Sequence, residues 1–195
     1  ELAENYLQQL IYAKRDFTET LNQDILSKID YYAKRGNIEL VATTATNCFL
    51  PHYIDLPEVI NAQIEIGLQS HKKYFNTLPE GFYLPFLGYT PGLEHAIKAY
   101  GLRYTILDSH ALLFGTPTPK AGTFAPVRCE NSLAIFAKDV DCYEDFFGEN
   151  GIIFREEYCD NNRDIGFESK ISELQNFLDD QTRLSTGFKY WCHKK

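Results

Sequence analysis

Over residues 1–37 the apolar positions follow a helical period. Leu2, Tyr6, Leu10 and Ala13 lie three and four residues apart, which predicts a helix with one buried face. Ile25, Ile29, Tyr32 and Ala33 repeat the pattern, and Gly36-Asn37 supplies a stop signal. Then the period changes. Residues 38–43 (IELVAT) are a run of strand formers, expected to be buried. Asp55 and Glu58 around Pro57 make a capping-box-like start to a long helix over 55–76. Its stripe of Ile60, Ile64, Leu68, His71 and Phe75 makes His71 a packed, structural histidine. A second apolar run, Phe82-Tyr83-Leu84, stops at Pro85. Pro91-Gly92 turns the chain into a short helix through Leu93, Ala96, Ile97 and Tyr100, with Gly101 placed to cap it. The third run, Tyr104 to Leu107, ends on Asp108 and His110.

Strand, helix, strand, helix, strand in this order form two consecutive right-handed crossovers, the mark of an α/β fold with parallel strands and outer helices. The parallel arrangement brings Phe86, Asp108 and His110 to one sheet edge, the C-terminal one, where α/β barrels place their chemistry. Glu80 precedes its strand and belongs at the opposite edge. The expected organisation is a single domain: a helical lead-in over 1–37, a βαβαβ core over 38–110, and a loop-rich part over 111–195 with further strands. In that last part the Pro-rich segment 115–119 is a loop, and residues 124–127 and 132–137 read as strand-like pieces. Residues 143–155 are acidic and aromatic, an expected excursion over the site, and residues 169–183 form a polar, acidic piece.

Composition narrows the partners. With 44% apolar and 14% aromatic residues in 195, the chain can bury a sizeable core. A net charge of -8 without a long basic cluster offers nothing to a phosphate backbone, so nucleic acid is excluded as a partner and a neutral polyhydroxylated ligand fits better. Cys48, Cys129, Cys142, Cys159 and Cys192 are odd in number and lack a C-x-x-C spacing, as expected of reduced thiols in a cytoplasmic protein without a zinc site. No apolar run approaches the ~20 residues of a membrane span, and no secretory signal opens the chain. It starts at Glu1 and contains no Met, the pattern expected of a fragment or of a chain given without some of its residues.

The ordered motifs resemble glycoside hydrolase family 57, the group of α-1,4-glucan branching enzymes and 4-α-glucanotransferases. That family's signature is an aromatic-Leu-Pro-Glu segment ending in a small residue and Tyr, then Pro-Gly-Leu, a helix, and Arg-Tyr leading to Asp-x-His. The chain supplies Tyr83-Leu84-Pro85, Gly88-Tyr89, Pro91-Gly92-Leu93, Arg103-Tyr104 and Asp108-Ser109-His110. Upstream, Ala45-Thr46-Asn47-Cys48-Phe49-Leu50-Pro51 is similar to the Ala-Thr-His-Gly-aromatic-Leu-Pro motif whose His lines the sugar site. Asn47 replaces that His and Cys48, an inert small hydrophobe, the Gly. Ala125-Pro126-Val127, residues 135–139, residues 163–167 and residues 186–190 match further blocks. The resemblance thus covers most of residues 38–190 and implies a partial or irregular (β/α)7-type barrel.

It also implies a reaction that this sequence cannot run as written. Retaining glucan enzymes need two carboxyl groups about 5 Å apart, one to attack the anomeric carbon and one to protonate the leaving oxygen. Phe86 stands where the family carries its nucleophilic Glu. The family's acid Asp comes from beyond its Thr-Gly-x-Lys-Tyr block, past which this chain stops at Lys195. A phenyl ring cannot attack a sugar or carry the charge that stabilises an oxocarbenium ion. The expectation is therefore an α-1,4-glucan protein related to 1,4-α-glucan branching enzymes but catalytically impaired, with neither metal nor cofactor. Asn47, Tyr83, Phe86, Tyr89, Asp108 and His110 are its candidate sugar contacts. Asn47 has a second reading as a backbone turn after a strand, and Tyr83 and Phe86 have one as packing. The alternatives are a non-catalytic carbohydrate-binding or regulatory protein, and a metal-dependent polysaccharide deacetylase-like enzyme, for which only Asp108 and His110 stand close together.

Overall fold

The computed structural model describes residues 2–155, 158–160, 164–168, 170–173, 178–179, 182–183, 185–188 and 190–191. Helices α1 (Leu2–Arg15) and α2 (Ile25–Lys34) precede β1 (Ala42–Thr43), α3 (Pro57–Phe75), β2 (Gly81–Tyr83), α4 (Leu93–Ala99) and β3 (Tyr104–Leu107). Then come α5 (Ser109–Leu113), β4 (Val127–Arg128), β5 (Ala134–Ala137) and α6 (Val140–Phe147). Two compact units result, one from residues 25–140 and one from residues 1–24 with 141–195.

In the first unit five strands form one open sheet, ordered β1-β2-β3-β5-β4. The first four are parallel and β4 runs antiparallel at the edge. Register divides the sheet into two faces. Ala42, Phe82, Thr105 and Ile135 share the buried face, which carries the core together with Ile60, Ile64 and Leu68 of α3 and Leu93 and Ile97 of α4. Burying each such aliphatic side chain contributes about 1.5–3 kcal/mol. The other face carries the cross-strand row Thr43, Tyr83, Ile106 and Phe136, and there Thr43, Tyr83 and Phe136 are exposed.

Helix α3 follows its predicted stripe. Ile60, Ile64, Leu68 and His71 are buried, and Asn76 ends the helix in the left-handed conformation at φ 53°. His71 is structural as expected: its Nδ1 lies 3.0 Å from the carbonyl of Thr77, and its ring packs on Phe75. Because a carbonyl only accepts, Nδ1 carries the proton. Gly67 faces the strand so closely that a Cβ there would stand 2.1 Å from the carbonyl oxygen of Thr43.

Some expectations fail locally. The capping box does not form, because Leu56 is the N-cap and makes no side-chain cap, leaving Asp55 one residue too early; Pro57 does take the first helical turn. The strand predicted over 38–43 shrinks to Ala42–Thr43, and Ile38 and Val41 are exposed, since among the described residues β1 has a neighbouring strand on one side only. Helix α1 forms where predicted, yet Leu10 and Ala13 are exposed. A period specifies a helix; it does not supply what the apolar face packs on. Residues 124–126 do not join a strand, and Phe124 is exposed.

In the second unit a single carboxylate ties two sequence blocks together. Asp164, 1% exposed, accepts through Oδ1 from the Gly166 and Thr186 amides and the Thr186 hydroxyl at 2.8–3.0 Å. Through Oδ2 it accepts from the Ser185 hydroxyl and the Gly187 amide at 2.9 and 3.0 Å. Burial by itself would raise the Asp164 pKa, but these hydrogen bonds outweigh it and hold the carboxyl far below the usual carboxylate range. The rings of Tyr6 and Phe188 meet edge to face at 4.9 Å. Arg163, Lys189 and Cys192 lie outside the described residues, as do the side chain of Cys159 and much of 169–183. Cys48 and Cys129 are free thiols.

Candidate functional site

Three loops leave the C-terminal ends of β1, β2 and β3 side by side. After β1 the Thr44 hydroxyl accepts the Cys48 amide at 2.8 Å, and Gln63 of α3 holds the turn by accepting the Ala45 amide on its carbonyl and the Thr46 amide and hydroxyl on Oε1. Asn47 sits exposed at the bend with φ 54°, a conformation Asn tolerates better than most residues. Its backbone role as a turn is therefore realised, and its side chain faces solvent at the strand end.

After β2, Pro85 begins a tight turn closed by Leu87 N–H to Leu84 O at 2.9 Å and Gly88 N–H to Pro85 O at 3.1 Å. Within it both Phe86 (φ 58°) and Leu87 (φ 54°) are left-handed, a conformation that costs bulky residues roughly 1–2 kcal/mol each. Phe86 is 71% exposed. Its ring lies 6.4 Å from that of Phe49, which meets His52 edge-on at 5.0 Å. Phe49 in turn lies against Gly88, where any Cβ would stand 2.1 Å from the ring. Tyr89 is half-buried, and its hydroxyl donates to Glu94 Oε2 at 2.8 Å, which also accepts the Gly92 amide. Burial and that contact push the Tyr89 phenol well above its ordinary range. The Tyr89 hydroxyl is thus committed to Glu94, leaving only its ring for another partner. Tyr83 is the last residue of β2, on the open face of the sheet.

After β3, Asp108 caps α5. Its Oδ1 accepts the His110 amide at 3.0 Å and faces His110 Nδ1 at 2.9 Å, so Nδ1 is the protonated nitrogen and Nε2 points away from the carboxylate. The His110 side-chain and backbone hydrogen bonds hold the Asp108 carboxyl below its usual range. Lys138, at the end of β5, brings its Nζ to 4.0 Å from Asp108 Oδ2. The exposed ring of Phe114 stacks on His110 at 6.1 Å and 19°. Sequence reasoning missed Phe49, Phe114 and Lys138 as neighbours of this edge. Lys138 directly follows β5, which could have flagged it, whereas Phe49 and Phe114 lie well past β1 and β3, the latter at the end of α5, where no local pattern points to the edge.

Glu80 lies at the other edge, paired with Arg103 at 2.8 Å. A cavity of about 520 Å³ opens there, between α2, the end of α3 and the 77–80 loop. Among the described residues no three His, Cys, Asp or Glu side chains converge as a metal site, and no helix is long and apolar enough to cross a membrane.

The family model for glycosyl hydrolase family 57 matches residues 5–185. The chain belongs to that family. A 1,4-alpha-glucan branching enzyme of Thermococcus kodakarensis is 28% identical over 127 residues, which is 57% of this chain and 19% of the enzyme. Among solved structures, the α-amylase AmyC of Thermotoga maritima superposes with a TM-score of 0.82 at 29% identity, covering 97% of this chain and 37% of that one. The family-57 branching enzyme of Pyrococcus horikoshii gives a TM-score of 0.72 at 23% identity over 84% of this chain and 33% of that one, and shares the fold. The chain therefore spans a fifth to two fifths of the length of these family-57 relatives.

Proposed function

We propose that this family-57 chain binds α-1,4-glucans at the C-terminal edge of its sheet and, in the sequence as it stands, does not cleave or transfer them. The observation that carries the reading is Phe86. The turn after Pro85 presents this side chain to solvent in the position from which the family's signature implies a carboxylate should attack, and a phenyl ring has no lone pair to offer. Asp108, the carboxylate on the neighbouring strand end, is engaged through its Oδ1 by the amide and ring of His110 as the cap of α5. Asn47, Tyr83, Phe86, the ring of Tyr89, Asp108 and His110 would hold the sugar by stacking and hydrogen bonds. A non-catalytic carbohydrate-binding role fits the same residues.

The test has two arms. Incubation with amylose, followed by iodine staining and reducing-end release, is expected to show no branching, disproportionation or hydrolysis, and Phe86→Glu alone is expected not to restore them. Affinity electrophoresis through amylopectin is expected to retard the chain. Robust turnover by the unaltered chain would overturn the impaired reading, free migration would remove the glucan, and acetate release dependent on added divalent metal would favour a deacetylase instead.

A further inference from the structure

The cavity of about 520 Å³ at the opposite, N-terminal edge of the sheet carries chemistry that the C-terminal edge does not use. Its walls are α2, the end of α3 and the 77–80 loop, all within the unit of residues 25–140. Three carboxylates line it. Asp30 is paired with Lys34, and Glu80 with Arg103 at 2.8 Å. Glu39 instead accepts the neutral Tyr104 hydroxyl at 2.7 Å and has no cationic partner among the described residues. Ile38 and Leu78, 42% and 66% exposed, add apolar area to the same lining.

His71 also lines the cavity. It is 8% exposed, and its Nε2 is buried without a hydrogen-bond partner among the described residues. Because Nδ1 donates to the Thr77 carbonyl, Nε2 carries the lone pair, and a buried acceptor of this kind is stabilised by any donor brought to it. The same ring borders a smaller cavity of about 260 Å³ beside β1, whose lining holds hydroxyls but no carboxylate.

We propose that the larger cavity binds a small organic cation of the aliphatic amine class, with an ammonium N–H donating to Glu39, a further N–H donating to His71 Nε2, and the hydrocarbon stem lying on Ile38 and Leu78. Charge and donor count select this class. A neutral polyol could donate to His71 but would leave the Glu39 charge uncompensated. An anion would meet three carboxylates against one lysine, on a chain of net charge -8. The site shares no residue with the C-terminal edge, so it stands or falls independently of the glucan reading.

Calorimetric titration of the chain with 1,4-diaminobutane tests this, with 1,4-butanediol as the neutral isostere and Glu39→Gln as the variant. Position 39 is exposed and Gln still accepts the Tyr104 hydroxyl, so the variant is expected to keep its melting temperature. The diamine is expected to bind and the diol not to. Glu39→Gln is expected to weaken the diamine about three- to tenfold, and about 0.5 M salt to weaken it similarly. In long-range proton–nitrogen spectra the His71 Nε2 resonance is expected to move upfield during the titration as it accepts the new donor. Absence of diamine binding overturns the site, and a diol that binds equally well overturns the cationic occupant. Diamine binding that ignores Glu39→Gln, or leaves His71 Nε2 unmoved, puts the amine elsewhere on the acidic surface and overturns the proposal too.

Discussion

Replacing Gly67 with alanine sets two effects of opposite sign against each other. Helix propensity favours the change: glycine inside a helix is about 0.5–1 kcal/mol less favourable than alanine. Packing opposes it. The new methyl would stand 2.1 Å from the Thr43 carbonyl oxygen, 3.3 Å from its carbon and 3.4 Å from the Ala45 nitrogen, all backbone atoms of the β1 region. Restoring an ordinary contact requires α3 to retreat by roughly 1 Å, the kind of overpacking that costs about 1–3 kcal/mol. The retreat also stretches the Ala45 N–H to Gln63 carbonyl bond, now 3.0 Å, which contributes about 1 kcal/mol. The balance is a net loss of about 2 kcal/mol. For a chain of this length that is a fall in Tm of about 4–8 °C, read by far-UV circular dichroism, with a parallel drop in the urea midpoint. Ser70→Ala, at an exposed position of the same helix, is the control and should leave Tm nearly unchanged. A Gly67→Ala variant as stable as the parent or more so would refute the claim that close approach of α3 to β1 fixes this glycine.

Other changes separate stability from function. Phe86→Asn relieves a left-handed phenylalanine and should raise stability by up to about 1 kcal/mol in urea unfolding while weakening maltoheptaose binding. Asp164→Asn places an amide against donors of Ser185, Thr186 and Gly187 and should cost about 2 kcal/mol at neutral pH. Because the folded-state pKa of Asp164 is depressed, the parent's advantage is present above the unfolded value of about 4 and is lost as pH falls below it; melts of parent and variant across that range should converge. Tyr104 donates to Glu39 at 2.7 Å, and burial, then that bond, push its phenol up to about 12. Its contribution is present below the unfolded value of about 10 and lost as pH rises toward 12, so Tyr104→Phe should cost about 1 kcal/mol at neutral pH and flatten the alkaline fall in Tm.

The central crossovers were legible because two periods alternate there without ambiguity: the stripe from Ile60 to His71 matches the buried side of α3, and the runs at 82–84 and 104–107 pair in parallel. The C-terminal edge was legible as a place for the same reason, since Asp108 and Phe86 each follow a strand. Less visible was what pairs with what. Nothing in the run 38–43 says that its strand has one neighbour only, and nothing in the period of α1 names a surface to cover it. Nor does the motif around Tyr89 reveal that Glu94, five residues on, takes its hydroxyl. The tie between residues 164–167 and 185–187 depends on one carboxylate meeting amides about twenty residues away, a long-range contact that no local pattern encodes.

If Phe86 stands where the family carries a carboxylate, as proposed above, the geometry around residue 86 lets the two side chains exchange without loss of the fold. Leu84, Pro85, Gly88 and the Phe49 ring determine the turn, through two backbone hydrogen bonds and a contact that only glycine permits. The side chain at 86 contributes to none of these, and it points into solvent. Exchange there among residues other than glycine and asparagine is therefore nearly free for stability, whatever it does to chemistry. What is not free is the left-handed backbone at both 86 and 87, which any residue but glycine, or to a lesser degree asparagine, must bear. A chain under no demand at this edge would lower its energy by placing Gly or Asn there. Phenylalanine bears the strain and adds exposed apolar area, and both costs find an offset if the ring meets the face of a sugar.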